Sequence, residues 1–198
     1  MEIIFGSNNE HKVKEIKEKI AEIDPTIIVK SLKEEGLNID IEENGKTFKE
    51  NAIIKAVGIY NIVKKPVIAD DSGLEIDALN GEPGVYTNRF AGENATDEEK
   101  RKIILNKMKN VEDEKRTARF TCCICFIDEK GEKHIFQKSC EGRIAKEERG
   151  KNGFAMDPIF VYGNGNRTFA EFSPEEKNEV SHRALAVNEF LKYLKNNK

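Results

Sequence analysis

No stretch of this sequence approaches the roughly 18 consecutive apolar residues that mark a membrane-spanning helix. Charge of one sign is not in excess either: 33 Lys and Arg stand against 36 Asp and Glu, a net charge of −3. A dedicated binder of duplex DNA carries a basic surplus, so a long nucleic acid is excluded as the partner. The opening Met1-Glu-Ile-Ile-Phe-Gly6 has neither a basic segment nor a long apolar one, and no secretion signal is expected from it. Internal repeats and low-complexity linkers are missing, and 198 residues is the length of about one domain. Cysteines are few: Cys122, Cys123 and Cys125 form C-C-x-C, and Cys140 follows. Neighbouring residues of a strand point to opposite faces, so Cys122 and Cys123 are poorly placed to share a metal. Buried strand thiols, in a protein of the cytoplasm, are the expectation. What abounds is charge, 35% of residues against about 25% in ordinary domains. With 38% hydrophobic residues beside it, the chain is too apolar to be disordered by composition.

The apolar periodicity alternates between strand and helix. Met1 to Phe5 reads as a short strand, and Val13, Ile16, Ile20 and Ile23 mark the inner face of a helix. The β-branched segment Thr26 to Val29 predicts a second strand. Thr47-Phe-Lys-Glu50 has the pattern of a capping box and opens a helix to about Val63, with Phe48, Ala52, Ile53, Ala56 and Ile59 or Tyr60 inward. Pro66 to Ala69 suits a buried parallel strand. A second capping box at Thr96 starts a helix to about Met108. Ala118 to Ile127 and His134 to Glu141, around Asp128-Glu-Lys-Gly131, predict an antiparallel hairpin. A third box at Ser173 and a last helix from about Ser181 to Leu194 complete the chain. The class is α/β: a mixed, mainly parallel central sheet with flanking helices and an antiparallel hairpin extension.

Several segments carry side chains that chemistry uses. Ala69-Asp-Asp-Ser-Gly73 puts Asp70 and Asp71 directly after a buried strand, where α/β sheets place their ligands. Adjacent carboxylates repel unless a cation or water separates them, and Mg²⁺ takes carboxylate oxygens; a strand-ending turn is the alternative. Glu42 and Glu43 precede the second helix and either favour its dipole or add metal ligands. Ser7, Asn8, Asn9, Glu10, His11 and Lys12 link a strand to a helix, where backbone N–H groups favour an anion and Lys12 adds a charge; a plain polar turn is the alternative. The segment is not a P-loop. Lys55 shares a helix face with Asn51, and Lys177 and Ser181-His-Arg183 offer further donors, with ordinary surface lysines and a helix-capping cluster as the alternatives. Gly153-Phe-Ala-Met-Asp-Pro-Ile-Phe160 sets an aromatic ring beside glycine and ahead of an acid, the elements of a base site or of a simple strand. No spacing suits a nucleophilic triad.

Taken in order, these segments resemble the inosine triphosphate pyrophosphatase family, which acts on non-canonical purine nucleoside triphosphates. Its usual T-x-N-x-x-K, E-E-x-G-x-T-F-x-E-N-A and A-D-D-S-G-L have counterparts from Ser7 to Lys12, Glu42 to Ala52 and Ala69 to Leu74. Its P-G-x-Y-S-x-R-[FY]-A-G, G-F-G-Y-D-P-I-F, E-K and S-H-R correspond to Pro83 to Gly92, Gly153 to Phe160, Glu176-Lys177 and Ser181 to Arg183. Two departures stand out: Ser7 replaces Thr, and Ala155-Met156 replaces Gly-Tyr, which leaves base selection open.

The resemblance implies hydrolysis to the monophosphate and pyrophosphate, favouring inosine, deoxyinosine and xanthosine bases. It implies one domain over residues 1–198, in two lobes around a central cleft, and a homodimer with Mg²⁺. In that reading Glu42 or Glu43 holds Mg²⁺ with Asp71, and Asp71 is the proton acceptor supported by Asp70. Lys12, Lys55 and Lys177 neutralise the triphosphate, while Ser72 and residues 7–12 position it. Phe154 stacks on the base, flanked by Ala155 and Met156, and Asp157, His182 and Arg183 read its edge. The rivals are a nucleotide-binding or sensing module that does not cleave, and a general pyrophosphatase of relaxed selectivity.

Overall fold

The computed structural model describes residues 1–92 and 94–197. Its strands are β1 (Glu2–Phe5), β2 (Ile28–Ser31), β3 (Val67–Ile76), β4 (Thr117–Ile127), β5 (Lys133–Ile144) and β6 (Phe160–Tyr162). Its α-helices are α1 (Glu10–Ile23), α2 (Phe48–Val63), α3 (Asp97–Lys107), α4 (Pro174–Val180) and α5 (His182–Asn196). The strand order is β2-β1-β3-β4-β5-β6. β1 pairs in parallel with β2 and β3, and β5 pairs antiparallel with β6, so the sheet is mixed as the sequence predicts.

The chain forms two compact units, one of Met1–Asp71, Cys122–Lys138 and His182–Lys198, the other of Ser72–Thr121 and Ser139–Ser181. The first has its core in Ile3, Phe5, Ile16, Ile20, Ile68, Phe126, Val187 and Phe190, with α1 packed on α5. Cys122, Cys123 and Cys125 are buried in β4, the first of them within that core. At the hairpin, Asp128 accepts the N–H groups of Lys130 and Glu132. His134 Nε2 lies 3.2 Å from Asp128 and 3.1 Å from the Tyr193 hydroxyl. These bonds account for the closeness of Asp128, Glu132 and His134, whose oxygen and nitrogen atoms lie within 4.8 Å of one another. The second unit centres on Phe120, Phe160 and Phe169, with ring centroids 4.6 and 5.1 Å apart along that series. Aromatic pairs of this kind add about 0.5–1.5 kcal/mol beyond the area they bury.

Four expectations shift. The second strand runs from Ile28 to Ser31, because the Asp24 carboxylate accepts the Thr26 N–H and turns the chain there. Ile23, the last residue of α1, is 47% exposed rather than inward. The hairpin loop is five residues long, Asp128 to Glu132, with Asp128 N–H donating to the Glu132 carbonyl. Most consequential, Asp70, Asp71 and Ser72 lie inside β3 rather than in a turn after it. Turn-forming side chains bend the backbone when they bond to it locally, but here both carboxylates are satisfied by distant side chains.

Candidate active site

Asp70 and Asp71 are consecutive strand residues, so they leave opposite faces of β3 and meet different partners. Asp70 Oδ2 accepts from Lys12 Nζ at 3.0 Å and lies 3.6 Å from Arg183 Nε. Lys12 stands in the first turn of α1, whose N-cap is Asn9: its carboxamide oxygen accepts the N–H groups of His11 and Lys12. Arg183 stands in the first turn of α5 and also pairs with Glu15. Both cations are buried, and Asp70 is fully so. Burial disfavours the Asp70 charge, yet Lys12, Arg183 and Lys55 outweigh it and hold the carboxyl well below the usual carboxylate range.

Asp71 is arranged differently. Its Oδ2 accepts from Asn51 Nδ2 at 2.9 Å. Asn51 is itself fully buried and its Oδ1 accepts the Gly45 N–H at 2.8 Å. A side chain at Gly45 would begin 2.6 Å from that oxygen, so glycine is required by the close approach. Burial pushes the Asp71 carboxyl up to about 6, against the opposing pull of the Asn51 hydrogen bond and the Lys55 and Lys12 charges. Lys55, one turn beyond Asn51 on α2, donates to the Asp70 carbonyl at 2.8 Å and lies 3.0 Å from Glu43. Burial opposes its charge, but Asp70, Glu43 and Asp71 together hold its ammonium above its ordinary range. The carboxylates of Glu43 and Asp71 are of the kind that suits a hard divalent cation, whereas Asp70, on the opposite face of β3, is taken up by Lys12 and Arg183. Of the two glutamates preceding α2, Glu43 faces Lys55, while Glu42 is exposed.

The second unit holds its own buried polar group. Lys177 Nζ donates to Asp157 Oδ2 at 2.7 Å and lies 4.6 Å from the centroid of the Phe154 ring. The same Asp157 oxygen accepts the Phe154 N–H at 2.8 Å. A Cβ at Gly153 would fall 2.1 Å from that oxygen, and its φ of +72° is left-handed, so the loop needs glycine there twice over. Lys177 comes from α4, whose Ser173–Glu176 capping box and Pro174 fix its start. Ser72, the first residue of this unit, is buried in β3.

The sequence candidates therefore sort into two groups. Lys12, Glu43, Lys55, Asp70, Asp71 and Arg183 meet in the first unit; Phe154, Asp157 and Lys177 meet in the second. Two roles change. Arg183, read as a contact to a base edge, has its guanidinium committed to Glu15 and Asp70. Lys177, read as a phosphate ligand, belongs with Phe154 and Asp157. Of the α1 loop, Ser7 accepts the Asn9 N–H and Asn8 donates to the Ile39 carbonyl, while Glu10 and His11 are exposed. His182 is buried at the start of α5. Asn51 and Glu15 were missed by sequence reasoning. The shared helix face of Asn51 and Lys55 was the available signal for the first; nothing local marked the second.

The order and geometry of these groups can be set beside known proteins. The model of the Ham1 family matches residues 3–193, a span that includes every candidate residue named above. The chain belongs to the Ham1 family. Among Ham1 relatives, a protein of Clostridium perfringens named dITP/XTP pyrophosphatase is 44% identical over 97% of this chain and 96% of its own. A Bacillus subtilis protein of the same name is 45% identical over 98% and 96%. The solved structure of the Staphylococcus aureus Ham1 protein covers all of both chains at 40% identity, with a TM-score of 0.89. That of a HAM1 protein from Coxiella burnetii covers 99% of each at 41% identity, with a TM-score of 0.88. Neither unit is an addition to the Ham1 fold, since the matched span runs through both.

Proposed function

We propose that the chain, acting as one functional domain, hydrolyses non-canonical purine nucleoside triphosphates (dITP, XTP and ITP) to the monophosphate and pyrophosphate. The observation that carries this is the Asp70–Asp71 pair: two buried carboxylates, one held ionised by Lys12 and Arg183, the other raised to about 6. A protein that only bound the triphosphate would need the cations and not the acids. Relatives named dITP/XTP pyrophosphatase, alike over nearly the whole chain, supply the substrate class.

In the reaction, water attacks the α-phosphorus, the bond from that phosphorus to the bridging oxygen breaks, and pyrophosphate leaves with the electron pair. Asp71 takes the water proton as general base. Glu43 and Asp71 would hold Mg²⁺, which would supply charge stabilisation to the reacting phosphoryl group. Lys55 draws its charge close to the same carboxylates and binds phosphate oxygens, as does the Ser7-Asn8-Asn9 segment that leads into α1. Arg183, with Glu15, positions Asp70 rather than touching the base. His182 and Ser72 remain substrate contacts in this reading.

The base is assigned to the loop of the second unit, where Phe154 stacks and Lys177 donates. Inosine and xanthine carry an acceptor at position 6, where adenine carries an amino group. A buried ammonium facing adenine would lose its acceptor, a mismatch costly enough to discriminate. The protein works in the cytoplasm as a homodimer, a reading supported by resemblance and checked by size-exclusion chromatography with light scattering.

The test is pyrophosphate release from dITP, XTP, ITP, ATP and GTP with Mg²⁺. Release from the first three well above the last two is expected. Equal release from ATP would make the enzyme a generalist, and no release from any would leave a binding module.

A further inference from the structure

Three non-glycine residues among those described have positive φ: Lys64, Asn80 and Ala155. Lys64 closes α2 and Asn80 closes the 3-10 turn Asp77–Leu79, where such a conformation ends a helix. Ala155, with φ +50°, ends no helix; it is the second residue of the turn that the Asp157 N–H closes on the Phe154 carbonyl. It stands between Phe154 and Asp157, and an L side chain enters the left-handed region only at a cost. The family pattern that the loop resembles has glycine at this place, which would take the conformation without that cost.

Besides the turn's own bonds, a further hold on Ala155 comes from α3. Arg101 Nη1 donates to the Ala155 carbonyl at 2.8 Å. The guanidinium is held in turn by Glu148, whose Oε2 lies 2.9 Å from Nε, and the Arg101 side chain is only 14% exposed. On the other side Met156 is buried to 1% exposure, which fixes the next residue. The loop closes on itself across Ala155, through Phe154 N–H to Asp157 Oδ2 and Asp157 N–H to the Phe154 carbonyl. The orientation of the Ala155 peptide therefore sets the Phe154 ring and the Asp157 carboxylate together.

We propose that Arg101 is a positioning residue of the base-binding loop: by gripping the Ala155 carbonyl it holds an alanine where the fold calls for glycine. The role rests on the reading of this loop as the base site. Arg101 touches no reacting atom, so its loss weakens selection and binding of the base and leaves the chemistry alone. One charge-assisted hydrogen bond to a neutral acceptor is lost, which corresponds to about a tenfold change in an equilibrium constant.

The experiment is a cycle of Arg101→Ala, Ala155→Gly and the double variant, in the full chain with Mg²⁺. Arg101→Ala raises KM for dITP about tenfold, with kcat changed less than about twofold. Adding Ala155→Gly recovers at least half of that loss on a logarithmic scale, because glycine needs no clamp. Arg101→Lys, which keeps the charge without the planar fork, falls between. Amide hydrogen exchange is the second readout: Arg101→Ala speeds exchange at Phe154 and Asp157, and the double variant slows it again. A KM loss that Ala155→Gly does not relieve would reduce Arg101 to a general support of α3 and overturn the proposal. So would unchanged KM and unchanged exchange. If the wild type released pyrophosphate from no nucleotide, the function reading would fall, and the exchange cycle would still decide whether Arg101 holds the loop.

Discussion

Replacing Asp70 by Asn removes a charge and little else, since the two side chains have the same shape and Asn keeps an oxygen for Lys12. What it leaves is two buried cations, Lys12 at 3.0 Å and Arg183 at 3.6 Å, both within a few per cent of full burial. Removing one member of a buried pair costs about 3–5 kcal/mol, because the survivors cannot return to water. Arg183 retains Glu15, so Lys12 bears most of the loss. Against a total stability of about 5–15 kcal/mol this is a large fraction. With a urea slope of roughly 2–3 kcal/mol per molar, the unfolding midpoint at pH 7 falls by roughly 1–2 M. The pH dependence has a definite sign. Asp70 is held below its unfolded value, near 3.9, so its contribution is complete above that pH and is lost as pH falls through the folded value. Wild type and Asp70→Asn therefore converge in acid. Adding Lys12→Met to Asp70→Asn takes out the orphaned ammonium and recovers part of the loss. A midpoint shift under about 0.3 M at pH 7, or a gap that persists in acid, would refute the reasoning.

Asp71→Asn should lower kcat for dITP by about 10²–10⁴-fold, the contribution of a general base, with the circular-dichroism spectrum unchanged; activity near wild type would remove Asp71 from that role. Gly153→Ala meets both a left-handed φ and the Asp157 carboxylate at 2.1 Å. The backbone alone costs about 1–2 kcal/mol, so thermal melting drops and KM for dITP rises, while an unchanged KM would detach the loop from base binding. Cys122, Cys123 and Cys125 are buried, and burial pushes the last two up to about 12 and about 11. They should resist iodoacetamide at pH 8 in the native protein and react fully in denaturant, as read by mass spectrometry; modification without denaturant would contradict the packing of β4.

Much of the fold was legible because the signals are local. Capping boxes at Thr96 and Ser173 start helices where hydroxyl and glutamate satisfy the first N–H groups, and both are present as read. Thr47 caps α2 as well, although Glu50 reaches back to Lys46 N–H rather than to Thr47. The strand β3 was cut short because Asp-Asp-Ser-Gly has turn-forming composition, and composition cannot see Lys12 and Asn51 arriving from other elements to satisfy those acids. The second strand starts two residues later than its composition predicts for the opposite reason, a local bond from the Thr26 N–H to the Asp24 carboxylate that β-branched composition hides.

The sequence by itself determined the inventory: which acids and cations exist, the periodicity that makes the elements, and the motif order that marks the family. It could place Asp70 beside Asp71 but not tell them apart, because adjacent residues share a sequence environment. The tertiary structure decided that difference. On one face of β3 Asp70 meets Lys12 and Arg183 and stays ionised; on the other Asp71 meets a neutral amide in a buried setting and rises to about 6. It likewise set Arg183 beside Asp70 and Lys177 beside Phe154 and Asp157. The physical reason is the same throughout: a charge takes its role from the partners within a few ångströms, and those partners come from residues far away along the chain.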